Sequence, residues 1–446
     1  MVVKTTKIVA LAAAHSIDPD HWWDSFGALL DRIGPRFKRY EPLRHASSLM
    51  VGLLSGLDRK NCWSIAEHRG DSNPHGLQHL LSRAKWDADG VRDDLRSYVN
   101  EAFGDSDAIM AVDETGDLKK GTATVGVQRQ YTGTAGRIEN AQVAVYLTYI
   151  GLRGHALVDR KLYLPKSWTE DPGRCATAGV PDGIVFATKP ALAQQMIFGA
   201  LDGGTKAKWV TGDEVYGNNT DLRTALEHRK VGYVMAVSCD HRVPSPGGPV
   251  RADSVARGLP ALSWQVRTAG DGTKGPRLYS WALLKLPEDQ PGYRWMLLRR
   301  NDTTGELAYY LCYSPTVVPL PDLVFVAGRR WKIEESFQAA KGQAGLDQHQ
   351  VRTWTSWHRW TILVMLTMAF LAVTTAAERD RAPTPVGLIP LTLNEFRRLF
   401  DALAVGVITD LEHLLKWSTW RRKHQSTARL HHYRRRSQAQ EPDLQL

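Results

Sequence analysis

Apolar residues recur every three to four positions through WWDSFGALLDRI (22–33) and LRHASSLMVGLLSGL (43–57), the spacing of amphipathic helices. No strand-like alternation interrupts the first hundred residues. Within them, WSIAEHRG, a D-S-N-P break at Asp71 to Pro74, and HGLQHLLSRAKW predict two short helices around a tight turn, the layout of a helix-turn-helix. Gln78, His79, Arg83 and Lys85 line the second of these helices in that reading; an ordinary helical hairpin with a polar face accounts for the pattern equally well. From Asp107 the texture changes to β-type runs: AIMAVD ending at Asp113, AQVAVYLTYI (Ala141 to Ile150), a G-L-R-G turn and HALVDRKLYL (His155 to Leu164). A helix follows, opened by Thr188 and Pro190 and closed by Gly203 and Gly204. KWVTGD then predicts a fourth strand ending at Asp213, TDLRTALEHRK a polar helix and GYVMAVS a fifth strand, for the order β-β-β-α-β-α-β.

About eighty residues after Ser238 alternate and are rich in turns, including SWQVRTA, RLYSWALLKL, YRWMLLRRN and ELAYYLCYS; they predict a β-rich insertion. Its Gly270, Gly272 and Gly275 match G-x-G-x-x-G, but Pro276 and another strand follow where a dinucleotide site needs a helix, so the glycines belong to a hairpin turn. A strong helix runs from about Arg329 to Ala344. Thr361 to Ala377 is uncharged and just long enough to span a bilayer, yet it is Thr- and Ala-rich and continues a polar helix, which predicts a buried helix. The apolar run in Lys4 to Ala14 is at the lower limit for a signal peptide.

Lys and Arg number 57 against 47 Asp and Glu, a net charge of +10 that favours a polyanionic partner, nucleic acid first. The basic C-terminal runs, Arg421, Arg422 and Lys423 and then Arg434 and Arg435 within HHYRRR, fit a solvated tail, or on so basic a chain a contact with phosphate. Four isolated cysteines give neither a disulfide framework nor a zinc site, so the chain reads as cytoplasmic.

In RRWKIEESFQAAK, Arg330, Glu334 and Lys341 share one helix face while Ile333, Phe337 and Ala340 occupy another. Asp113 ends an apolar run in which a lone carboxylate is costly, and Asp213 ends a strand, where open α/β sheets place their sites. Asp213 could instead cap the next helix, and Glu114 and Glu335 are alternatives for the first and third acids. Three converging carboxylates raise one another's pKa unless cations intervene. Oxygen ligands suit Mg²⁺ or Mn²⁺, and two such ions would serve phosphodiester cleavage.

The ordered blocks DETGDLKKG, QRQYTGTAGRIENAQV, LYLPKSW, VTGDEVYG and RWKIEESFQAAKGQAGLDQHQVR resemble the insertion-sequence DDE transposases over most of the chain. The resemblance implies an RNase H-like mixed α/β sheet with a β-rich insertion and an all-α N-terminal domain. It implies that Asp113, Asp213 and Glu334 hold two metal ions and that Arg330 and Lys341 touch phosphates near the element's end. Ala327 stands where the family's helix commonly carries a tyrosine. An insertion aromatic stacks on a displaced base in such proteins, with Trp264, Trp281 and Trp295 the candidates here, although core packing accounts better for any single one of them.

The expected organisation is a DNA-binding domain over 1–105, a catalytic domain split as 106–238 and 321–380 around an insertion at 239–320, and a basic helical region over 381–446. The expected function is to bind terminal inverted repeats, cleave both strands and join the 3′-hydroxyls to target DNA, as a dimer in the synaptic complex and away from any membrane. The rivals are a nuclease or resolvase without strand transfer and a domesticated DNA-binding protein. A glycosidase using Asp113 and Glu114 explains neither the charge nor Lys341.

Overall fold

The computed structural model describes residues 18–405, apart from 72, 246, 273–274, 288–290 and 382–383, together with scattered positions between 419 and 434. Two compact units emerge, one of Met1–Ala102, Ala176–Val180 and Phe337–Leu446, the other of Phe103–Cys175 and Pro181–Ser336.

The first unit is helical. Asp18 caps α1 (Pro19–Ile33), which has proline at its first position and buries Trp22, Phe26, Leu29 and Ile33. α2 (Tyr40–Leu54) follows, and a capping box built by Asn61 and Ser64 starts α3 (Cys62–His68). α4 (His75–Ser82) buries Leu77, Leu80 and Leu81, so the expected pair of short helices is present. It ends sooner than the sequence suggests. Trp86 Nε1 donates to the Leu80 carbonyl at 2.9 Å, and buried Arg359 donates to the carbonyls of Leu80 at 3.2 Å and Ala84 at 2.6 Å. With its last carbonyls satisfied from outside, α4 stops at Ser82, and Arg83 and Lys85 lie past its end instead of lining it. α5 (Ala88–Phe103) leads to the second unit.

There β1 (Ile109–Leu118), β2 (Gln128–Thr132), β3 (Arg137–Ile150) and β4 (His155–Leu162) precede α6 (Lys189–Asp202), β5 (Trp209–Gly212), the short α7 (Glu214–Gly217), α8 (Thr220–His228) and β6 (Gly232–Val237). β7 (Gln265–Gly272), β8 (Gly275–Lys285), β9 (Tyr293–Arg300) and β10 (Leu307–Ser314) come next, then α9 (Leu320–Arg329) and α10 (Trp331–Ala344). The strands form a ten-stranded mixed sheet ordered β2-β3-β1-β5-β6-β10-β9-β8-β7, with β4 also on β3. β1, β5 and β6 are parallel; β3 runs antiparallel to β1 and β10 antiparallel to β6. The insertion strands therefore extend the central sheet directly. β2 is a strand that the sequence pattern did not reveal, since its QRQYT has a single buried residue.

Back in the helical unit, α11 (Trp354–Arg381) and α12 (Leu393–Phe400) complete the described helices labelled here. α11 is long and apolar enough for a membrane span, but 83% of its most apolar window is buried inside the protein. Phe370 on it packs edge-on against Phe26 and Phe400, each at 5.3 Å between ring centres. That is the buried core helix expected from its composition.

Lys60, 4% exposed, donates through Nζ to the Leu53 carbonyl at 2.6 Å and to the Gln343 carbonyl, satisfying acceptors near the C-terminal ends of α2 and α10. Burial pushes its ammonium pKa down to about 7. Below that pH, Lys60 is protonated in both folded and unfolded chains. Above it, the unfolded chain holds a proton that the folded one lacks, until ordinary lysine pKa is reached. Stability therefore gains about 1.4 kcal/mol per pH unit from this group between pH 7 and 10. Thermal unfolding followed across that range is expected to show this rise in the wild type, and a Lys60→Met variant is expected to lack it.

Candidate active site

β1 carries Asp113 and β5 leads into Asp213, and the two strands are parallel neighbours. Their pairing ends at Val112 with Gly212, one residue before each aspartate, while β3 accompanies β1 as far as Leu118. The sequence-based end of β1 at Asp113 thus marks the loss of its β5 partner rather than the end of the strand. Asp213 turns the chain into α7, its Oδ1 accepting from Val215 N at 2.9 Å. Capping and a place at the strand end are not alternatives here: Asp213 has both. Gly217 closes the turn where any Cβ would collide with the Ala236 carbonyl on β6, which seats α7 tightly on the sheet.

Both aspartates resist ionisation. Burial pushes the Asp113 pKa up to about 7, with the Asp213 charge adding to the shift and Arg330 opposing it. Asp213 is raised by burial and then by the Glu114 charge, against the amide of Val215. Arg330 stands at the junction of α9 and α10, donating to Glu334 at 2.8 Å and to Asp113 at 3.5 Å. Burial opposes its charge, but Asp113 and Glu334 hold the guanidinium ionised. The helix expected from about Arg329 to Ala344 is α10, which starts at Trp331, and a further helix, α9 from Leu320, precedes it and meets it at Arg330.

The acids next in sequence are engaged elsewhere. Glu114 accepts from Lys189 Nζ and from the Tyr216 hydroxyl, each at 2.6 Å. Glu335 accepts from Lys332 at 2.7 Å and lies 3.6 Å from His155 Nε2. Burial works against its ionisation, yet the bonds from His155 and Lys332 bring its carboxyl down to about 2. This leaves Glu334 as the acid of its helix that shares Arg330 with Asp113. Among the described residues, no three His, Cys, Asp or Glu side chains form a ready-made metal cluster; a guanidinium links Asp113 to Glu334 instead.

A cavity of about 570 Å³ adjoins Asp213 and Arg330. Trp281, Tyr279, Tyr309 and Tyr310 of the insertion line it together with Arg277 and Arg299. Trp281 Nε1, Arg277 Nε and Arg299 Nε are buried, with no hydrogen-bond partner among the described residues. Of the tryptophans singled out from sequence, only Trp281 reaches this cavity. Trp264 carries the Arg300 guanidinium 4.6 Å above its ring, and Trp295 is buried and stacked on Tyr293 at 6.0 Å. The arginines and tyrosines escaped notice because single basic or aromatic residues in alternating strands have no distinctive spacing. Tyr216 did carry a signal: it lies three residues after Asp213, one turn on.

Lys341 lies two turns beyond Glu334 on α10. Gln78 and His79 are exposed on α4, and Trp63 on α3 is 64% exposed nearby in sequence. Lys423 and Arg434 are exposed, whereas Arg422 spends its guanidinium on the Ile389 carbonyl at 3.0 Å; Arg421 and Arg435 lie outside the described residues.

A family of proteins described as DDE superfamily endonucleases matches residues 32–265, just over half the chain, including Asp113 and Asp213 but not Glu334. The chain is 29% identical over 329 residues to a probable transposase for insertion sequence element IS701 from Microchaete diplosiphon, covering 70% of this chain and 77% of that protein. Among solved structures it is similar to a piggyBac transposase synaptic complex with hairpin DNA, with a TM-score of 0.47 and 10% identity over 90% of this chain and 84% of that one.

The raised Asp113 pKa has a sign that can be checked without substrate. Between the ordinary aspartate pKa and about 7, the folded chain holds the extra proton, so stability falls as pH rises through that window. In EDTA at pH 8, Asp113→Asn is expected to be more stable than wild type by roughly 2–4 kcal/mol, with the gap shrinking toward pH 5. Calorimetry at the two pH values measures it.

Proposed function

The chain belongs to the DDE superfamily endonucleases and is a DNA-cleaving enzyme related to insertion-sequence transposases, and from that premise we propose that it binds its element's terminal inverted repeats, cleaves both strands there and transfers the 3′-hydroxyl ends to target DNA. The observation that carries this reading is the placement of Asp113 and Asp213 side by side, each one residue past the last pair of the adjacent parallel strands β1 and β5, with Arg330 linking Asp113 to Glu334.

Membership of the family implies dependence on divalent metal. The residues present fit such ions: the donors are all carboxylate oxygens, which suit hard cations, and the raised pKa values of Asp113 and Asp213 mark a place where added positive charge is favourable. Asp113, Asp213 and Glu334 would hold two Mg²⁺ or Mn²⁺ ions, in competition with Arg330 for the same oxygens. The chemistry such ions supply is activation of a water or 3′-hydroxyl and stabilisation of the leaving oxygen.

The chain's own residues do the rest. Arg330 balances the carboxylates and, with Lys341, meets phosphate. The cavity beside Asp213 suits a displaced nucleotide, whose base has the rings of Trp281 and Tyr279 to pack against. Gln78 on α4 reads bases, and Lys423 and Arg434 contact backbone, so that specificity resides in the N-terminal helices and salt-sensitive affinity in both ends. The working organisation is a DNA-binding domain over 1–105, catalytic segments 106–238 and 321–380, an insertion at 239–320 and a basic region over 381–446. Holding two ends at once requires at least a dimer, and the work is cytoplasmic.

Duplexes carrying the flanking inverted repeats, incubated with Mg²⁺ or with EDTA, test the reading. Metal-dependent cleavage and joining are expected for wild type, with a loss of at least a thousandfold in each of Asp113→Ala, Asp213→Ala and Glu334→Ala, on the order of 4 kcal/mol of barrier. Cleavage without joining of pre-cut ends would make it a nuclease or resolvase. Binding of the repeats with no product in Mg²⁺ or Mn²⁺ would leave a DNA-binding protein that no longer cuts.

A second expectation concerns the cavity. Replacing Arg299 by Ala is expected to lower cleavage of the element end by about tenfold or more, as for loss of a charged hydrogen bond, with little change in the affinity for unrelated duplex. Equal loss on both DNAs, read by titration and single-turnover cleavage, would deny the cavity a part in end recognition.

A further inference from the structure

We propose that Glu114, Tyr216 and Lys189 form a clamp that fixes the separation of Asp113 and Asp213 beyond the point where the sheet itself holds it, which makes Tyr216 a positioning residue for cleavage. The inference rests on the reading of those two aspartates as metal ligands.

The need for a clamp follows from the register. Backbone pairing between β1 and β5 ends with Val112 and Gly212, so no β1–β5 ladder bond restrains the two residues that carry the aspartates. The Tyr216 hydroxyl crosses the gap at this level. It sits within α7, whose backbone returns to the Asp213 carbonyl through Tyr216 N at 3.2 Å and Gly217 N at 2.8 Å. It donates to Glu114 Oε2 at 2.6 Å, and Glu114 N in turn donates to Asp113 Oδ1 at 2.7 Å. One path of hydrogen bonds and a single turn of chain thereby joins one aspartate to the other.

The residue types match the task. The Tyr216 side chain is wholly buried, and packing alone would be served by phenylalanine, since a buried hydroxyl is costly unless bonded. Bonded to a carboxylate it makes one of the stronger hydrogen bonds available. Lys189, in the first turn of α6, occupies the other Glu114 oxygen at 2.6 Å. It offsets the charge that would otherwise make Glu114 a third uncompensated acid, and it ties a third element to the clamp. The same contacts direct Glu114 away from the place where Asp113 and Arg330 meet.

The test uses the full chain. Mn²⁺ binding is followed by electron paramagnetic resonance, single-turnover cleavage on an element-end duplex, DNA affinity and thermal unfolding in EDTA. Tyr216→Phe is expected to weaken Mn²⁺ binding and slow cleavage by about ten- to a hundredfold, as loss of an outer-shell partner does, while DNA affinity and unfolding temperature stay near wild type. Glu114→Ala is expected to behave alike, the double variant to be no worse than the poorer single one, and Glu114→Gln, which keeps an acceptor oxygen for the hydroxyl, to retain more of both than Glu114→Ala. Wild-type Mn²⁺ binding and cleavage in Tyr216→Phe would overturn the clamp, as would additive losses in the double variant or losses that merely track unfolding. A wild type that neither binds Mn²⁺ nor cleaves would instead overturn the functional reading on which the clamp stands.

Discussion

Repulsion between carboxylates gathered where two parallel strands lose their pairing is the constraint around which this site is organised. Asp113, Asp213 and Glu114 lie at that place, and burial makes the charges of the two aspartates harder to maintain. Neighbouring groups answer the problem piece by piece. The Val215 amide serves Asp213, Lys189 and the Tyr216 hydroxyl serve Glu114, and Arg330 serves Asp113 and Glu334 together.

The insertion is not an appendage to this arrangement. β10 pairs directly with β6, so the strands bearing Tyr279, Trp281 and Arg299 belong to the same sheet as Asp113. The continuity makes the wall of the cavity part of the same sheet that carries the two aspartates.

Much of this was legible in the chain. Asp113 stood out because an apolar strand offers a carboxylate no structural excuse, and Asp213 because it ended a strand before a turn; the structure puts the two side by side. The periodicity of RRWKIEESFQAAK placed Arg330 and Glu334 on one face, and they are bonded. Telling Glu334 from Glu335 lay beyond periodicity, since adjacent residues on a helix differ only in which neighbours from distant segments they meet, here His155 from β4. Arg83 and Lys85 were misplaced for the same reason: the cap that ends α4 is Arg359, some 270 residues away in sequence. β2 escaped because its pattern has too few buried positions to register as a strand, and its stability comes from β3.

One close contact has a mechanical consequence. At Gly328, α9 lies so near β7 that a Cβ would overlap the Ala269 carbonyl, and Arg277 Nη2 stitches the two together, donating to the carbonyls of both Ala269 and Gly328 at 3.1 Å. Arg330 follows only two residues later. The edge strand of the sheet is thus anchored to the end of α9, two residues before the guanidinium on Asp113, so one wall of the cavity and the charge that balances the carboxylates share a single point of attachment in the fold.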